Sequence, residues 1–197
     1  MRTSNITRDT TETQIQVQFT LDGSGKAEIA TGIGFFDHML HHLARHGLFD
    51  LIVKAKGDLE IDGHHTVEDV GICLGKAFHD ALGDCRGLTR YSHAVIPMDE
   101  CLAEAVVDLS GRPFFAFHGQ TLRGMVGDFD AELTEEFLRA FATNARVTLH
   151  VTVRNGGNLH HTIEGIFKAM ARALDSATIV DTRKGDTPPS TKGMIDV

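Results

Sequence analysis

The sequence predicts an α+β fold built from two copies of one βαβ-type unit, in which helices pack against two sheets. Two observations lead to this prediction. The word His-His-Thr-Val-Glu-Asp at 64–69 returns as His-His-Thr-Ile-Glu-Gly at 160–165, a separation of 160 − 64 = 96 positions in a chain of 197 residues. Each word opens a segment of helical periodicity and follows segments that alternate like strands. We therefore divide the chain into repeats at 1–91 and 92–180 and a tail at 181–197.

The first repeat contains three strand-like and two helix-like segments. Ile15 and Val17 alternate with glutamines, a pattern typical of a strand with one buried face. A turn at 22–25 is expected to join this strand to the next one as a hairpin. Asp37 is the expected N-cap of the first helix, and Gly47 its end. The predicted elements are a strand at 13–21, a strand at 26–31, a helix at 37–45, a strand at 51–55 and a helix from 64 to Gly83.

The second repeat shows the same order of segments. Leu133 and Phe137 lie four residues apart on the apolar face of a helix, and Leu149 and Val151 alternate as in a strand. The predicted elements are strands at 93–98, 102–109 and 114–117, a helix at 131–142, a strand at 147–153 and a helix from 160 to 174. The tail contains Pro188-Pro189 and is expected to be extended.

Composition excludes several classes of protein. A hydrophobic fraction of 42% without any apolar run of the ~18 residues that span a bilayer indicates a soluble globular protein. The net charge of −8 argues against nucleic acid as the main partner, so an anionic substrate would need a local basic cluster. Cys73, Cys85 and Cys101 are odd in number and lack Cys-x-x-Cys spacing, which favours reduced thiols and a cytoplasmic location.

The repeated words have the spacing of metal ligands on a helix. Residues three or four apart share a helix face, so His64 and His65 can each chelate with Glu68, whereas adjacent histidines diverge by about 100°. The same holds for the second word, so we predict two metal ions bound between two half-sites. Imidazole and carboxylate ligands without thiolate suit Mn, Fe or Zn, and an open octahedral site favours Mn. A single such word would more often be an ordinary first helical turn, but its repetition favours metal binding.

Aligning the repeats suggests two further ligands. His38 lies 64 − 38 = 26 positions before the first word, and Glu136 lies 160 − 136 = 24 positions before the second. Both fall early in the first helix of their repeat, so each could complete one metal shell. His42, four residues after His38, shares its helix face and either lines the site or is an ordinary surface residue. The remaining histidines considered are expected to have surface or structural roles: His46, His79, His118 and His150.

Several stretches together resemble the imidazoleglycerol-phosphate dehydratase family. Besides the two histidine words, they are Gly-Ile-Gly-Phe-Phe-Asp-His-Met-Leu at 32–40, Pro-Met-Asp-Glu at 97–100, Asp-Leu-Ser-Gly-Arg-Pro at 108–113, Thr-Leu-His at 148–150, Phe-Lys-Ala at 167–169 and Pro-Ser-Thr-Lys-Gly at 189–193. The resemblance covers nearly the whole chain. It implies a fold like the second domain of ribosomal protein S5 and a cage of twenty-four identical subunits. It also implies active sites at subunit interfaces, each with two Mn ions.

The resemblance also implies roles for individual residues. The implied metal ligands are His38, His64, His65, Glu68, His160, His161 and Glu164. Glu136 falls where many members carry a further histidine ligand, and a carboxylate can also bind Mn. The implied substrate-binding residues are Glu12, His42, Arg90, Arg112, Lys168, Ser190 and Lys192. Their basic members suit a phosphate ester, because guanidinium and ammonium groups donate charge-assisted hydrogen bonds. Ser190-Thr191 stands where the family has two serines, and His42 where some members have glutamine.

The implied reaction is the dehydration of D-erythro-imidazole glycerol phosphate to imidazole acetol phosphate in histidine biosynthesis. Because the C–H bond to be broken is not next to a carbonyl, the substrate's imidazole ring must serve as the electron reservoir. We expect a metal-stabilised imidazolate to expel the hydroxyl, giving a diazafulvene and then an enol. A carboxylate is expected to move the proton, and the candidates are Glu12, Glu68 and Glu164.

Two other classes of protein also fit parts of the pattern. A di-metal hydrolase would aim a metal-bound water at an ester. A metal-storage or metal-sensing protein would need only the histidine-rich words, and would have no use for the basic residues as a set. Formation of product from the imidazole substrate would distinguish the dehydratase from both.

Overall fold

A computed structural model of the chain describes residues 1–195, so the last two positions of the predicted tail lie outside the described residues. The first repeat forms β1 Thr3–Asp9, β2 Thr13–Thr20, β3 Ala27–Ala30, α1 Gly34–Gly47, β4 Asp50–Gly57 and α2 His64–Leu82. The second forms β5 Tyr91–Met98, β6 Cys101–Asp108, β7 Phe114–His118, β8 Met125–Val126, β9 Phe129–Asp130, α3 Leu133–Ala145, β10 Thr148–Asn155 and α4 Leu159–Thr178. A 3-10 turn, Thr182–Lys184, follows in the tail.

The two repeats form four-stranded sheets with the same strand order. The first sheet runs β1-β2-β4-β3 and the second β5-β6-β10-β7, while β8 and β9 form a small separate ribbon. In both sheets the first two strands are antiparallel, and β3 and β7 run parallel to β4 and β10. Each parallel pair is joined through a helix, which is a βαβ unit. The predicted α+β fold with two sheets and packed helices is therefore confirmed, while the repeat boundaries at residues 91 and 180 stay a prediction.

Three local predictions in the first repeat are wrong or incomplete. The strands on either side of the turn at 22–25 do not form a hairpin, because β2 pairs with β1 and β4, and β3 pairs with β4. Strand β1 was not predicted, because it is an edge strand whose only apolar residue is Ile6. Helix α1 begins at Gly34, and Asp37 accepts hydrogen bonds from the backbone N–H and hydroxyl of Thr31 instead of capping the helix.

The four helices cover the inner faces of the sheets and pair across the repeats. Helix α2 packs on β1, β2 and β4, and α4 packs on β5, β6 and β10. Between the repeats, α1 packs on α4 and α2 packs on α3. Aromatic rings connect the two helix pairs to each other: Phe137 of α3 lies 5.2 Å from Phe167 of α4 and 5.3 Å from Phe36 of α1. Among residues 1–195, no helix combines the length and the apolarity that crossing a membrane requires.

Two glycines allow the close approach of α2 and α3. A Cβ atom on Gly75 would lie 2.6 Å from the carbonyl oxygen of Phe141 and 2.9 Å from the backbone nitrogen of Ala145. A Cβ atom on Gly71 would lie 3.0 Å from the carbonyl oxygen of Phe137. Because these neighbours are backbone atoms of α3, they cannot move without moving the helix. A side chain at either position would therefore push the two helices apart.

We predict that Gly75→Ala lowers the free energy of unfolding by about 1–3 kcal/mol, because overpacking outweighs the higher helix propensity of alanine. The matched control is Gly165→Ala in α4, where a new Cβ would lie 3.4 Å from the Cβ of Ala103, an ordinary contact. The control should be neutral or slightly stabilising. Urea unfolding of both variants measures the difference, and equal midpoints would contradict the packing argument.

Candidate active site

A group of five chemically active side chains lies where α1 crosses α4. His38 and His42 share one face of α1, and His160, Glu164 and Lys168 share one face of α4, because each is four residues from the next. The Nε2 atoms of His38 and His42 each lie 3.3 Å from Oε2 of Glu164. Nε2 of His160 lies 3.0 Å from the same oxygen. The ammonium of Lys168 lies 2.6 Å from the other oxygen, Oε1. We call these five residues the Glu164 cluster.

Electrostatics keep this cluster ready to bind a cation. Glu164 is only 5% exposed. Burial would raise the pKa of its carboxyl, but the hydrogen bond from Lys168 and the neighbouring imidazoles of His42 and His160 outweigh this and lower the pKa to about 2. Burial lowers the pKa of His42 to about 4, against the attraction of Glu164. At neutral pH the acid is therefore ionised and His42 is uncharged, the states in which both can ligate a metal.

The donor atoms of the Glu164 cluster fit a divalent cation. His38, His160 and Glu164 each offer one donor atom, and these atoms all lie within 4.8 Å of one another. Lys168 is bound to Oε1, so Oε2 of Glu164 is the oxygen that faces the imidazoles. Imidazole and carboxylate donors together suit Mn, Fe or Zn. The three residues are therefore consistent with a metal site, as the sequence predicted.

The first histidine word lies in a more open part of the structure. Nε2 of His64 lies 4.0 Å from Oε2 of Glu68, and both side chains are 45% exposed. His64 and Glu136 line the same cavity, which has a volume of about 780 Å³. Glu136 and His38 each lie ten residues before the left-handed residue that ends their helix, since 146 − 136 = 10 and 48 − 38 = 10. Glu136 is thus placed beside the first word as His38 is placed beside the second.

The second histidine of each word contacts an acid that the sequence analysis did not single out. Nδ1 of His65 lies 2.9 Å from Oδ2 of Asp58. Nδ1 of His161 lies 3.1 Å from Oε2 of Glu100 and 3.9 Å from Oδ2 of Asp99. The Pro-Met-Asp-Glu motif was a signal for Glu100, although nothing in it indicated a histidine partner. Asp58 lies in a loop with several acids, and only the folded chain distinguishes it from them.

The two words do not meet within one chain. The group of His38, His160 and Glu164 and the group of Asp99, Glu100 and His161 are the sets of three candidate ligands found in residues 1–195. Neither set contains a residue from the first word. Helix α2, which begins with the first word, packs against α3, and helix α4, which carries the second word, packs against α1. The two words therefore lie on different helix pairs.

Four of the predicted substrate-binding residues line a separate pocket of about 460 Å³: Arg90, Arg112, Ser190 and Lys192. The guanidinium of Arg90 binds Asp108 at 2.8 Å and donates to the carbonyl oxygen of Pro189 at 2.7 Å. Arg90 therefore holds the tail against β5 and β6, contrary to the expectation of a tail that simply extends. Arg112 is 62% exposed and lies 4.0 Å from Asp108, so its guanidinium is available to an anion.

The remaining predicted residues lie outside this pocket. Lys168 and His42 belong to the Glu164 cluster, and Nζ of Lys168 lies 4.0 Å from Sδ of Met98. The pocket lies at the Tyr91 and Asp108 end of β5 and β6, whereas Met98 lies at the other end. Seven residue steps of about 3.3 Å separate the two ends by about 23 Å. A single chain therefore does not bring the basic pocket and the Glu164 cluster together around one small substrate.

Glu12 lies in the turn between β1 and β2 and is exposed. Its backbone N–H donates to the hydroxyl of Thr10 at 3.2 Å. The turn is tied to α2 by Thr13, whose hydroxyl donates to the buried Asp69 at 2.5 Å. Asp69 also pairs with Arg8 at 2.9 Å. The Asp-to-Gly difference between the two words therefore reflects an anchor that only the first repeat has.

Comparisons with known proteins agree with the resemblance. A family model described as imidazoleglycerol-phosphate dehydratase matches residues 31–174. A curated relative of that name from Gluconacetobacter diazotrophicus is 57% identical over 194 residues, which are 98% of each chain. One from a Geobacillus species is 55% identical over 196 residues, covering 99% of this chain and 100% of the relative. The chain belongs to the imidazoleglycerol-phosphate dehydratase family.

Solved structures of the family have the same fold. The crystal structure of the dehydratase from Staphylococcus aureus subsp. aureus N315 matches with a TM-score of 0.80 at 41% identity, covering 89% of this chain and 97% of that one. The structure from Pyrococcus furiosus, in complex with (S)-C348, matches with a TM-score of 0.81 at 33% identity, covering 96% and 100%. The chain is therefore a hydro-lyase of histidine biosynthesis, as the resemblance implied. The roles of individual residues stay predictions.

We predict that the metal-free dehydratase loses stability as the pH falls from about 6.5 to about 4, in part because of His42. In this range the unfolded chain binds a proton at His42 that the folded chain does not bind. The free energy of unfolding therefore decreases as the pH is lowered. The contribution of His42 to the free energy of unfolding is fully present above the pKa that histidine has in the unfolded chain, and it is on the order of 2 kcal/mol.

His42→Gln should flatten this part of the stability curve, and His41→Gln, an exposed residue of the same helix, is the matched control. Urea unfolding at a series of pH values in the presence of a chelator measures both variants. An unchanged slope in the His42 variant would contradict the assignment.

Proposed function

We propose that this dehydratase converts D-erythro-imidazole glycerol phosphate to imidazole acetol phosphate with two Mn ions in each active site. The Glu164 cluster carries this proposal, because it combines imidazole and carboxylate donors with a basic residue in one place. A metal-storage protein would have no need for Lys168 there or for the basic pocket. The family match favours the dehydratase over the di-metal hydrolase.

The proposed metal ligands are those of the two words and their partners on the first helices: His38, His64, His65, Glu68, Glu136, His160, His161 and Glu164. The crossing of α1 with α4 and of α2 with α3 supports His38 and Glu136 as corresponding ligands of the two sites. When bound, the ions would supply Lewis acidity that stabilises negative charge on the substrate's imidazole ring. Loss of the hydroxyl would give a diazafulvene, removal of the proton on the neighbouring carbon would give the enol, and tautomerisation of the enol would give the ketone product.

Glu12 is the residue proposed to remove the substrate's proton. Glu164 has a pKa of about 2 and has both oxygens engaged, which makes it a weak base. Glu68 lies beside His64, where it suits a ligand. The carboxylate of Glu12 has no hydrogen bond or ion pair with the residues that the structure describes, and its charge acts on His65 of the first word. It is therefore a carboxylate near the first word that is not already paired.

The basic pocket is proposed to hold the phosphate. Arg112, Ser190 and Lys192 offer donors, while Arg90 shapes the pocket through Asp108 and the tail. Lys168 is proposed to act separately, by holding Glu164 and the substrate's glycerol chain. These contacts would keep the reacting carbons in register with the metals.

The active site is proposed to form between copies of this chain. The basic pocket and the Glu164 cluster lie at opposite ends of β5 and β6, so one substrate would reach both only if they came from different subunits. The separation of the two histidine words within the chain supports the same arrangement. The assembly of twenty-four subunits implied by the resemblance would provide such interfaces. A cytoplasmic location is also proposed, and three free, buried thiols support it.

We predict that the Mn-loaded protein forms imidazole acetol phosphate, whose enol is followed by its absorbance in alkali. Glu12→Gln should lower kcat by about 100- to 10,000-fold and leave Mn binding intact, because the base is removed and the ligands remain. Glu164→Gln should lose both turnover and Mn affinity, since it removes a buried ligand. Metal binding without any product in the wild type would favour the storage alternative. Full turnover in the Glu12 variant would exclude it as the base.

We predict that two inactive variants restore activity when they are expressed together. Arg112→Ala disables the basic pocket, and Glu164→Gln disables the metal cluster. If each site combines the two parts from different subunits, about a quarter of the sites in randomly mixed assemblies contain both intact parts. The turnover of the co-expressed mixture, compared with each variant alone, measures this. Absence of recovery in assemblies that contain both variants would contradict a shared site.

A further inference from the structure

The second histidine of each word is bound at the same ring nitrogen by a carboxylate. Asp58 lies 2.9 Å from Nδ1 of His65, and Glu100 lies 3.1 Å from Nδ1 of His161. In a neutral imidazole, a carboxylate that accepts from Nδ1–H fixes the tautomer in which Nε2 carries the lone pair. The Nε2 atoms of both rings are thereby left as the metal-binding atoms. His64 and His160 lack such a partner at Nδ1 within the described residues.

The two carboxylates do not occupy equivalent positions in the repeats. Asp58 directly follows β4, and its counterpart after β10 is Gly156, since 148 − 50 = 98 and 58 + 98 = 156. Glu100 directly precedes β6, and its counterpart before β2 is Glu12. The repeats therefore share the contact although different elements supply it. A contact left over from duplication would have come from equivalent residues.

Glu100 is held in place by several other groups. Its Oε1 accepts the backbone N–H of Asn158 at 2.6 Å, and its carbonyl oxygen accepts the side-chain amide of Asn155. A Cβ on Gly157 would lie 2.4 Å from Cγ of Glu100, so the glycine makes room for the acid. Asn158 in turn caps α4 by accepting from the N–H groups of His160 and His161. The same acid thus connects the β5–β6 turn to the start of the histidine helix.

The side chain of Asp58 is also confined by its surroundings. Its side chain is only 15% exposed, and its second oxygen, Oδ1, is buried without a hydrogen bond in the described part of the chain. A carboxylate this buried needs a strong partner, and His65 is the one the structure shows. Thr66, the next residue of α2, packs its side chain against Gly57, directly before Asp58.

We propose that Asp58 and Glu100 are positioning residues, which orient His65 and His161 so that their Nε2 atoms bind the metal ions. This proposal rests on the proposed role of the two histidines as ligands. Carboxylate partners of this kind typically change metal affinity by about 10- to 100-fold. The proposal also assigns different tasks to the equivalent residues Glu100 and Glu12. Glu100 orients a histidine in the second repeat. In the first repeat Asp58 has that task, so Glu12 stays unpaired.

The test is an Mn²⁺ titration of the full-length, metal-free protein, in which free Mn²⁺ is followed by electron paramagnetic resonance. Glu100→Ala and Asp58→Ala should each weaken Mn²⁺ binding by about 10- to 100-fold. Glu100→Gln should weaken it less than alanine does, because the amide oxygen still accepts from Nδ1–H. The matched control is Glu60→Ala, an exposed acid of the Asp58 loop, which should bind Mn²⁺ as the wild type does. Asp99→Ala removes the other acid near His161, whose Oδ2 lies 3.9 Å from Nδ1, and should lose less affinity than Glu100→Ala.

Urea unfolding of the metal-free variants separates positioning from a structural role. A merely structural role of Glu100 would lower the unfolding midpoint and leave the Mn²⁺ affinity of the folded protein unchanged, which would overturn the proposal. Equal loss of affinity in Asp99→Ala and Glu100→Ala would also overturn it, because the acids would then be ligands with His161. His161→Ala tests the underlying function separately: wild-type Mn²⁺ affinity in this variant would refute the ligand assignment itself.

Discussion

The crossing of each repeat's first helix with the other repeat's last helix is the constraint on which the candidate site depends. Because α1 packs on α4, His38 reaches His160 and Glu164, and because α2 packs on α3, Glu136 shares a cavity with His64. Each cluster contains residues of both repeats, so neither repeat could form one alone. The glycines of α2 allow its close approach to α3, and aromatic rings connect this helix pair to α1 and α4. The core that stabilises the fold therefore also positions the candidate ligands.

The buried carboxylate of Glu164 shows how the fold prepares a cation site. An ionised acid that is 5% exposed is costly unless positive or polar groups surround it. Lys168 binds one oxygen, and three imidazoles approach the other, so the acid stays ionised. The same arrangement gathers imidazole nitrogens around a negative oxygen, a donor set that suits a divalent metal. One set of contacts thus keeps Glu164 ionised and groups the candidate metal donors.

Duplication explains the similarity of the two halves, and their differences explain the division of tasks. The basic pocket is built only on β5, β6 and the tail. Asp69 anchors the Glu12 turn in the first repeat, where the second repeat has Gly165 and ties the Glu100 turn through Asn155 and Asn158. The distance between the pocket and the Glu164 cluster is the reason for proposing a site shared between chains. Under that proposal, association of chains is a requirement of the chemistry.

The sequence by itself determined the fold class, the repeat and the family, because these depend on local periodicity and on short sequence motifs. Helical spacing was enough to place His160 with Glu164 and His38 with His42 on shared faces. The sequence patterns did not predict β1, whose exposed edge has no apolar alternation, and they predicted the wrong neighbour for β2. Only the tertiary structure decided which helices cross, that Asp58 and Glu100 bind the second histidines, and that the basic residues divide between two places. These outcomes depend on packing between residues far apart in sequence, which no spacing within one helix or strand encodes.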